Sequence, residues 1–282
     1  MTPGSNNVVD TDIAGTYTIT YLAQDSSGNT ATRDLIITVT AGYTSSFDAN
    51  AYYASANGNT GEQLFLSLRT IIQTGMIKVS YGDARYILDE SDRHPLDPDN
   101  VLTIYDRQSV SGVWDGTTWN REHVWPNSRL GVSSVTNTQK NIASDLHNLR
   151  AAIVSTNSSR SNKWYDTTTT ASTYYPGDAD KGDVARILFY MVVMYPNLDL
   201  VNVITSAMDD GMNVEAGTYM AIMSLLLQWH IDDPVDNFER NRNDVIYHYQ
   251  NNRNPFIDRP EYVAQIWGSN PSVVTSSSQF FN

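Results

Sequence analysis

The chain of 282 residues has no cysteine. A disulfide framework, a thiolate zinc site and a cysteine nucleophile are therefore excluded, while the redox compartment stays open. Lysine is scarce: of the 18 basic side chains 14 are arginine and 4 are lysine. Arginine holds phosphates and carboxylates in a fixed fork, so the skew points to specific contacts rather than a solvating coat. Positive charge is short overall, with 18 basic against 31 acidic side chains and a net charge of -13. That balance excludes coating a polyanion by bulk charge but leaves room for a local basic cleft. Long apolar runs are missing too. The most apolar stretch, Ile187 to Tyr195, is about half the length of a membrane span and reads as a buried helix, so no membrane insertion is expected. Residues 1–7 show neither a basic n-region nor an apolar h-region, and no signal peptide is read there.

What is present is a globular composition, with 40% hydrophobic and 11% aromatic residues, enough for one large or two modest domains. Residues 16–40 read as two strands: Tyr17, Ile19 and Tyr21 alternate on one face, and Leu35, Ile37 and Val39 do so after the turn Asp25-Ser-Ser-Gly-Asn29. This segment resembles the closing strands of bacterial immunoglobulin-like surface repeats; the alternative is a hairpin native to the main domain. Residues 42–50 read as a connector. The remainder, 51–282, reads as a mainly helical α+β domain. Helices are expected over Gly61–Thr74, Val184–Tyr195 and Thr218–His230, and from the capping pair Asp236 and Glu239 through Tyr249. Strands are expected at Val101–Tyr105 and Thr118–His123, and a loop at Thr167–Thr173.

The chemistry concentrates between Arg107 and Lys163, where seven basic side chains face three acidic ones on an otherwise acidic chain. A phosphate-binding cleft would need such an island; a neutral solvated surface could carry it as well. Within it lies Trp119-Asn-Arg-Glu122-His123-Val-Trp125-Pro126. Neighbours on a strand point to opposite faces, so Glu122 and His123 can serve one reaction only if the strand ends there and turns, as Pro126 suggests. His123 would then be a base aimed at water and Glu122 a hard oxygen ligand. Downstream, Ser144-Asp145-Leu-His147-Asn148-Leu-Arg150 reads as a capped helix start with Asn148 in its first turn, able to offer an amide oxygen to the same ion. One carboxylate, one amide and several waters suit Mg²⁺.

At these residues the chain resembles the endonuclease I family of secreted and periplasmic bacterial nucleases, which have a ββα-metal, or His-Me finger, active site. Further matches are Lys181-Gly-Asp183-Val-Ala-Arg186, Trp229-His-Ile-Asp232-Asp-Pro234, Arg242-Asn-Asp244-Val-Ile-Tyr247 and Asn252-Arg-Asn-Pro255-Phe-Ile-Asp258, so the likeness spans roughly residues 50–268. One departure is Asn251, where the family usually has glycine.

The resemblance implies a ββα motif near 117–160, His123 as general base, and Glu122 and Asn148 as ligands of Mg²⁺, with Mn²⁺ or Ca²⁺ as substitutes. It implies a sequence-nonspecific endonuclease acting on DNA, with RNA open, and leaving 5′-phosphates. The protein is expected to be an extracellular or cell-surface monomer, with activity falling below about pH 6 as the imidazole protonates. Arg150 and Arg160 are the expected phosphate clamps, with Arg129 a third candidate. The N-terminal segment should be dispensable for catalysis. An inactive surface-attached binding module and a metallo-hydrolase of another substrate are the competing classes. Asp178-Ala-Asp180-Lys-Gly-Asp183 has a superficial calcium-loop pattern, but its glycine is displaced and Phe189 stands where a bidentate glutamate is needed. His94, His147, His230 and His248 read as structural, and Trp114, Trp119 and Trp125 as core rather than base-stacking platforms.

Overall fold

In a computed structural model, which describes residues 15–39, 47–132, 135–204, 218–274 and 276–278, the chain divides into two compact units, 1–47 and 48–282. In the first, β1 (Gly15–Gln24) and β2 (Thr30–Val39) form an antiparallel hairpin whose register sets Tyr17 opposite Ile37 and Ile19 opposite Leu35. The alternating apolar side chains therefore share one face. Asp25 closes the turn by accepting the backbone N–H groups of Ser27 and Asn29 at 2.9 Å each, and Gly28 supplies the required positive φ of 86°. The connector expected at 42–50 lies largely outside the described residues.

The second unit opens with α1 (Ala49–Tyr52), α2 (Gly61–Gln73) and α3 (Tyr81–Ser91). A three-stranded antiparallel sheet follows, β3 (Arg93–His94), β4 (Asp97–Leu102) and β5 (Ser109–Ser111). Next comes the antiparallel pair β6 (Trp119–His123) and β7 (Leu149–Ile153), leading directly into α4 (Val154–Arg160), so the ββα order expected near 117–160 is present. After it stand β8 (Trp164–Tyr165) and β9 (Thr173–Tyr174), α5 (Lys181–Met194), β10 (Asp199–Val201) and β11 (Tyr219–Ala221). The chain continues through α6 (Met223–Asp232), α7 (Asn237–Gln250), α8 (Pro255–Asp258) and α9 (Tyr262–Trp267).

Two expectations are corrected. The segment expected to be helical from Thr218 first pairs in parallel with β10, since Leu200 and Met220 are opposed and both fully buried; its helix begins only at Met223. The strand expected over Val101–Tyr105 ends at Leu102, because Tyr105 adopts φ of 79°, which no strand accommodates. The capping pair is as read: Asp236 accepts from Glu239 N–H at 2.9 Å, and the Glu239 side chain returns to the cap.

All residues of α5 after Lys181 are buried, which explains why it is apolar on every side. It packs against α2, α6 and α8. Gly182 allows the closest approach: a Cβ there would stand 2.1 Å from the Asp233 carbonyl oxygen. Polar residues within α5 are held by charge. The Arg186 fork meets Glu239 through two 2.6 Å bonds and gives a third to Asp233 O at 2.7 Å.

A second ion network pins β7. Asp92, fully buried at the end of α3, accepts from Arg150 Nε at 3.1 Å and Ala151 N–H at 2.7 Å on one oxygen, and from Arg242 Nε at 2.8 Å on the other. Arg150 also pairs with Asp183 of α5 at 3.1 Å, while Arg242 donates to the carbonyls of Leu146 and Leu149. Removing one partner of a buried pair leaves an uncompensated charge, which costs about 3–5 kcal/mol. Asp92→Ala removes the carboxylate of Arg242 and one of the two that Arg150 holds, and urea unfolding should show a loss of about that size. A loss under about 1 kcal/mol would show that the network does not hold the strand.

Candidate active site

The β6–β7 register sets Glu122 opposite Arg150 and His123 opposite Leu149, and Val124 N–H donates one step further to Asn148 O at 3.0 Å. The backbone of Asn148 thus lies beside the strand end that carries Glu122 and His123. Asn148 is not in the first turn of an α-helix, as expected. It ends a single 3₁₀ turn, Leu146–Asn148, that Asp145 caps through His147 N–H at 3.0 Å. The turn stops because Leu149 is drawn into β7. Tyr190, Tyr195 and Gln250 all donate to the same Asp145 carboxylate, at 2.7–2.9 Å, and fix the cap in place.

Beyond His123 the chain leaves the strand, and Pro126 begins a 3₁₀ turn. Glu122 and His123 consequently both line one cleft of about 310 Å³, shared with Arg121, Pro126, Asn127, Ser128, Asn157 and residues 160–162. Apart from Glu122 and the cations Arg121 and Arg160 its wall is neutral and, Pro126 excepted, polar.

The His123 ring is fixed from two sides. Nε2 lies 2.8 Å from Ala143 O, and since a carbonyl only accepts, Nε2 carries the proton and Nδ1 keeps a lone pair. Tyr81 stacks on the ring at 5.3 Å and 21°. Burial lowers the imidazole pKa to about 4 against the opposing bond to Ala143, with Arg121 and Arg160 adding in the same direction. The ring is therefore neutral through the ordinary pH range.

Glu122 is almost fully buried, and burial raises its pKa while Arg160 pulls it down. Tyr105 Oη donates to Oε1 at 2.6 Å, and Arg160 Nε stands 3.4 Å from the same oxygen. Neither engages Oε2. Asn148 receives Trp125 N–H on Oδ1 at 2.7 Å and returns Nδ2–H to Trp125 O at 3.1 Å, which fixes the amide orientation and leaves Oδ1 a second lone pair. Glu122 Oε2 and Asn148 Oδ1 are hard oxygen donors, of the kind that suits a divalent cation retaining several waters, but only Glu122 lines the cleft; Asn148 is fully buried beside its strand end. Among the described residues no group of three or more His, Cys, Asp or Glu side chains is placed to hold a metal.

The arginines are placed otherwise than expected. Arg150 is buried in its pairs with Asp92 and Asp183 and does not line the cleft. Arg160 does line it, but its fork is committed to the carbonyls of His123, Val124 and Ser161 at 3.2, 2.6 and 3.0 Å. Arg129 is buried over the Trp164 ring at 3.6 Å and donates to Asn162 O at 3.2 Å. Three cations of the basic island are thus internal struts, because a guanidinium satisfies several buried carbonyls at once. Arg121, passed over in the sequence, is a partly buried cation of the cleft wall; it lies 3.6 Å above Tyr81, donates to Tyr81 O and reaches Asn137 Oδ1 at 3.4 Å. Trp119 and Trp125 are core, and Trp114 packs edge-on against Trp119 at 4.9 Å.

The endonuclease I profile matches residues 59–175 and 170–261, which include this cleft and the helices behind it. The chain belongs to the endonuclease I family. It is 39% identical over 241 residues to a protein of Bacillus subtilis (strain 168) named extracellular ribonuclease, covering 78% of this chain and 79% of that one. It is 38% identical over 251 residues to a protein of the same name from Bacillus amyloliquefaciens, covering 82% of each. Within this endonuclease I domain the first matched segment carries the cleft, and the second carries Asp183, Arg186 and Arg242, whose ion pairs brace it.

Asn148→Ala removes partners from two buried backbone groups of Trp125, at a cost of about 1–3 kcal/mol for each group left unpaired. Urea midpoints should fall accordingly. A loss under about 1 kcal/mol would show that the two bonds to Trp125 do not fix this amide.

Proposed function

We propose that the protein is a metal-dependent endonuclease of low sequence specificity that hydrolyses the backbone of RNA and DNA to 5′-phosphate products. The observation that carries this reading is the pinned imidazole. His123 gives its Nε2 proton to Ala143 O, keeps Nδ1 as a basic lone pair, and shares one cleft with the Glu122 carboxylate. Nδ1 accepts the proton of a water that attacks phosphorus, and the bond to the 3′-oxygen breaks. A divalent ion held by Glu122 and Asn148, Mg²⁺ with Mn²⁺ or Ca²⁺ as substitutes, would supply charge to the phosphate oxygens and the leaving oxygen.

Because water is the nucleophile, the reaction needs no ribose 2′-hydroxyl, and both RNA and DNA fit it. The name shared by the two Bacillus relatives favours RNA as a substrate and supports work outside the cell. Among the described residues no helix is long and apolar enough to cross a membrane. The protein acts as a monomer, and the described residues that line the cleft belong to the second unit. Arg121 makes the phosphate contact that Arg150 and Arg160 are not free to make. With a net charge of -13, the chain repels polyphosphate away from the cleft, so binding is weak and salt-sensitive.

Digestion of RNA, single-stranded DNA and supercoiled plasmid, with and without EDTA, tests the reading; EDTA-resistant cleavage or no cleavage of any substrate would overturn it. His123→Ala should lower kcat by at least about 100-fold. At saturating metal ion the acid limb of kcat/KM should lie well below pH 6, since burial holds His123 near a pKa of about 4. This differs from the sequence-based expectation of a fall at about pH 6, which used the ordinary imidazole value. Arg121→Ala should raise KM about tenfold at low salt, the loss of one charge-assisted contact, with a smaller change in kcat. An unchanged KM would remove Arg121 from the phosphate site.

A further inference from the structure

Tyr105 has a backbone that its side chain disfavours. Its φ is 79°, and two residues later Arg107 has φ of 48°. Left-handed conformations of bulky residues cost about 1–3 kcal/mol each and persist only where the surroundings over-determine them.

The surroundings do so here. Asp180 accepts Tyr105 N–H on Oδ2 at 2.9 Å and Arg107 Nη1 on Oδ1 at 2.8 Å, and Arg107 also reaches Ala179 O at 3.0 Å. Asp180 is the N-cap residue of α5, yet its side chain makes no capping bond. Both of its oxygens serve the 105–107 turn instead. Ile104 N–H donates to Ala151 O of β7 at 2.9 Å, and Thr156 of α4 donates to Asp106 at 2.7 Å. A turn fastened to α5, β7 and α4 delivers one hydroxyl, that of Tyr105, to Glu122 Oε1 at 2.6 Å. Tyr165 Oη stands 2.7 Å from that hydroxyl and 3.0 Å from Val124 O, and its one proton serves either of them.

We propose that Tyr105, locked by Asp180, is a positioning residue that fixes the rotation of the Glu122 carboxylate so that Oε2 is presented to the divalent cation. The proposal rests on the reading of Glu122 as a metal ligand. It also gives a use to the calcium-loop-like acidic run. Asp180 locks the turn, Asp183 pairs with Arg150 at 3.1 Å, and Asp178 pairs with Lys181 at 2.9 Å. Partners that orient a ligand typically change metal affinity 10–100-fold when removed.

The test is Mn²⁺ binding to the full chain, read from the free-ion paramagnetic resonance signal, with thermal unfolding measured in parallel. Glu122→Ala should abolish the site. Tyr105→Phe, which deletes one oxygen atom, should weaken Mn²⁺ about tenfold in a chain that still unfolds cooperatively, and kcat should recover when Mn²⁺ is raised to saturation. Asp180→Ala, which frees the turn, should weaken Mn²⁺ in the same direction. Wild-type affinity in Tyr105→Phe while Glu122→Ala binds nothing would overturn the proposal alone. Weakened affinity with a kcat that does not recover at saturating Mn²⁺ would overturn it too, as a merely structural role. Wild-type binding by Glu122→Ala would overturn the metal reading and the proposal with it.

Discussion

The site depends on the two oxygens of Asp92. A two-stranded ribbon is marginal in water by itself, yet β6 and β7 must hold Glu122, His123 and Asn148 in fixed register. Asp92 supplies the constraint by binding Arg150 and the Ala151 amide of β7 with one oxygen and Arg242 of α7 with the other. Arg242 in turn donates to the carbonyls on either side of the turn that carries Asn148. Hydrophobic contact alone, supplied by Leu146, Leu149, Trp119 and Ile246 in one cluster, would hold the ribbon down without choosing its register. Directional ion pairs choose it, and they are costly enough to desolvate that their value here lies in specificity more than in net stability.

Arginine usage follows the same logic. The excess of arginine over lysine looks, in sequence, like a surface prepared for phosphate. In the folded chain Arg129, Arg150, Arg160, Arg186, Arg242 and Arg253 are all buried, each fork satisfying carbonyls or carboxylates that would otherwise lack partners. A linear charge count cannot separate such struts from a phosphate contact, because burial depends on which strand face each residue occupies. Arg121 and Arg160 illustrate the difference: both line the cleft, but Arg160 is fully buried with both Nη groups on carbonyls, whereas Arg121 is only partly buried.

Much of the fold was legible where periodicity was strong. The helices at 61–73 and 181–194, the capping box at Asp236 and the strand ending at His123 follow from apolar spacing and cap chemistry. Illegible parts have non-local causes. The parallel pairing of Tyr219–Ala221 with residues 199–201 depends on a partner 20 residues away. The left-handed turn at Tyr105 depends on Asp180, 75 residues on. The cleft was legible in part: Glu122 and His123 line it, while the backbone of Asn148 lies beside their strand end outside its wall. The burial that makes His123 neutral, and the phenol on Glu122, arise only when distant segments pack.

The central claim is that the fold presents His123 as a neutral imidazole with its proton on Nε2 and its lone pair on Nδ1. Nitrogen-15 resonances of the ring, followed from about pH 7.5 to about pH 4.5, measure this directly. The account predicts a protonated Nε2, a bare Nδ1 and a ring that stays neutral below about pH 5.5. A proton on Nδ1, or an imidazolium forming at the ordinary value of about 6.5, would contradict it.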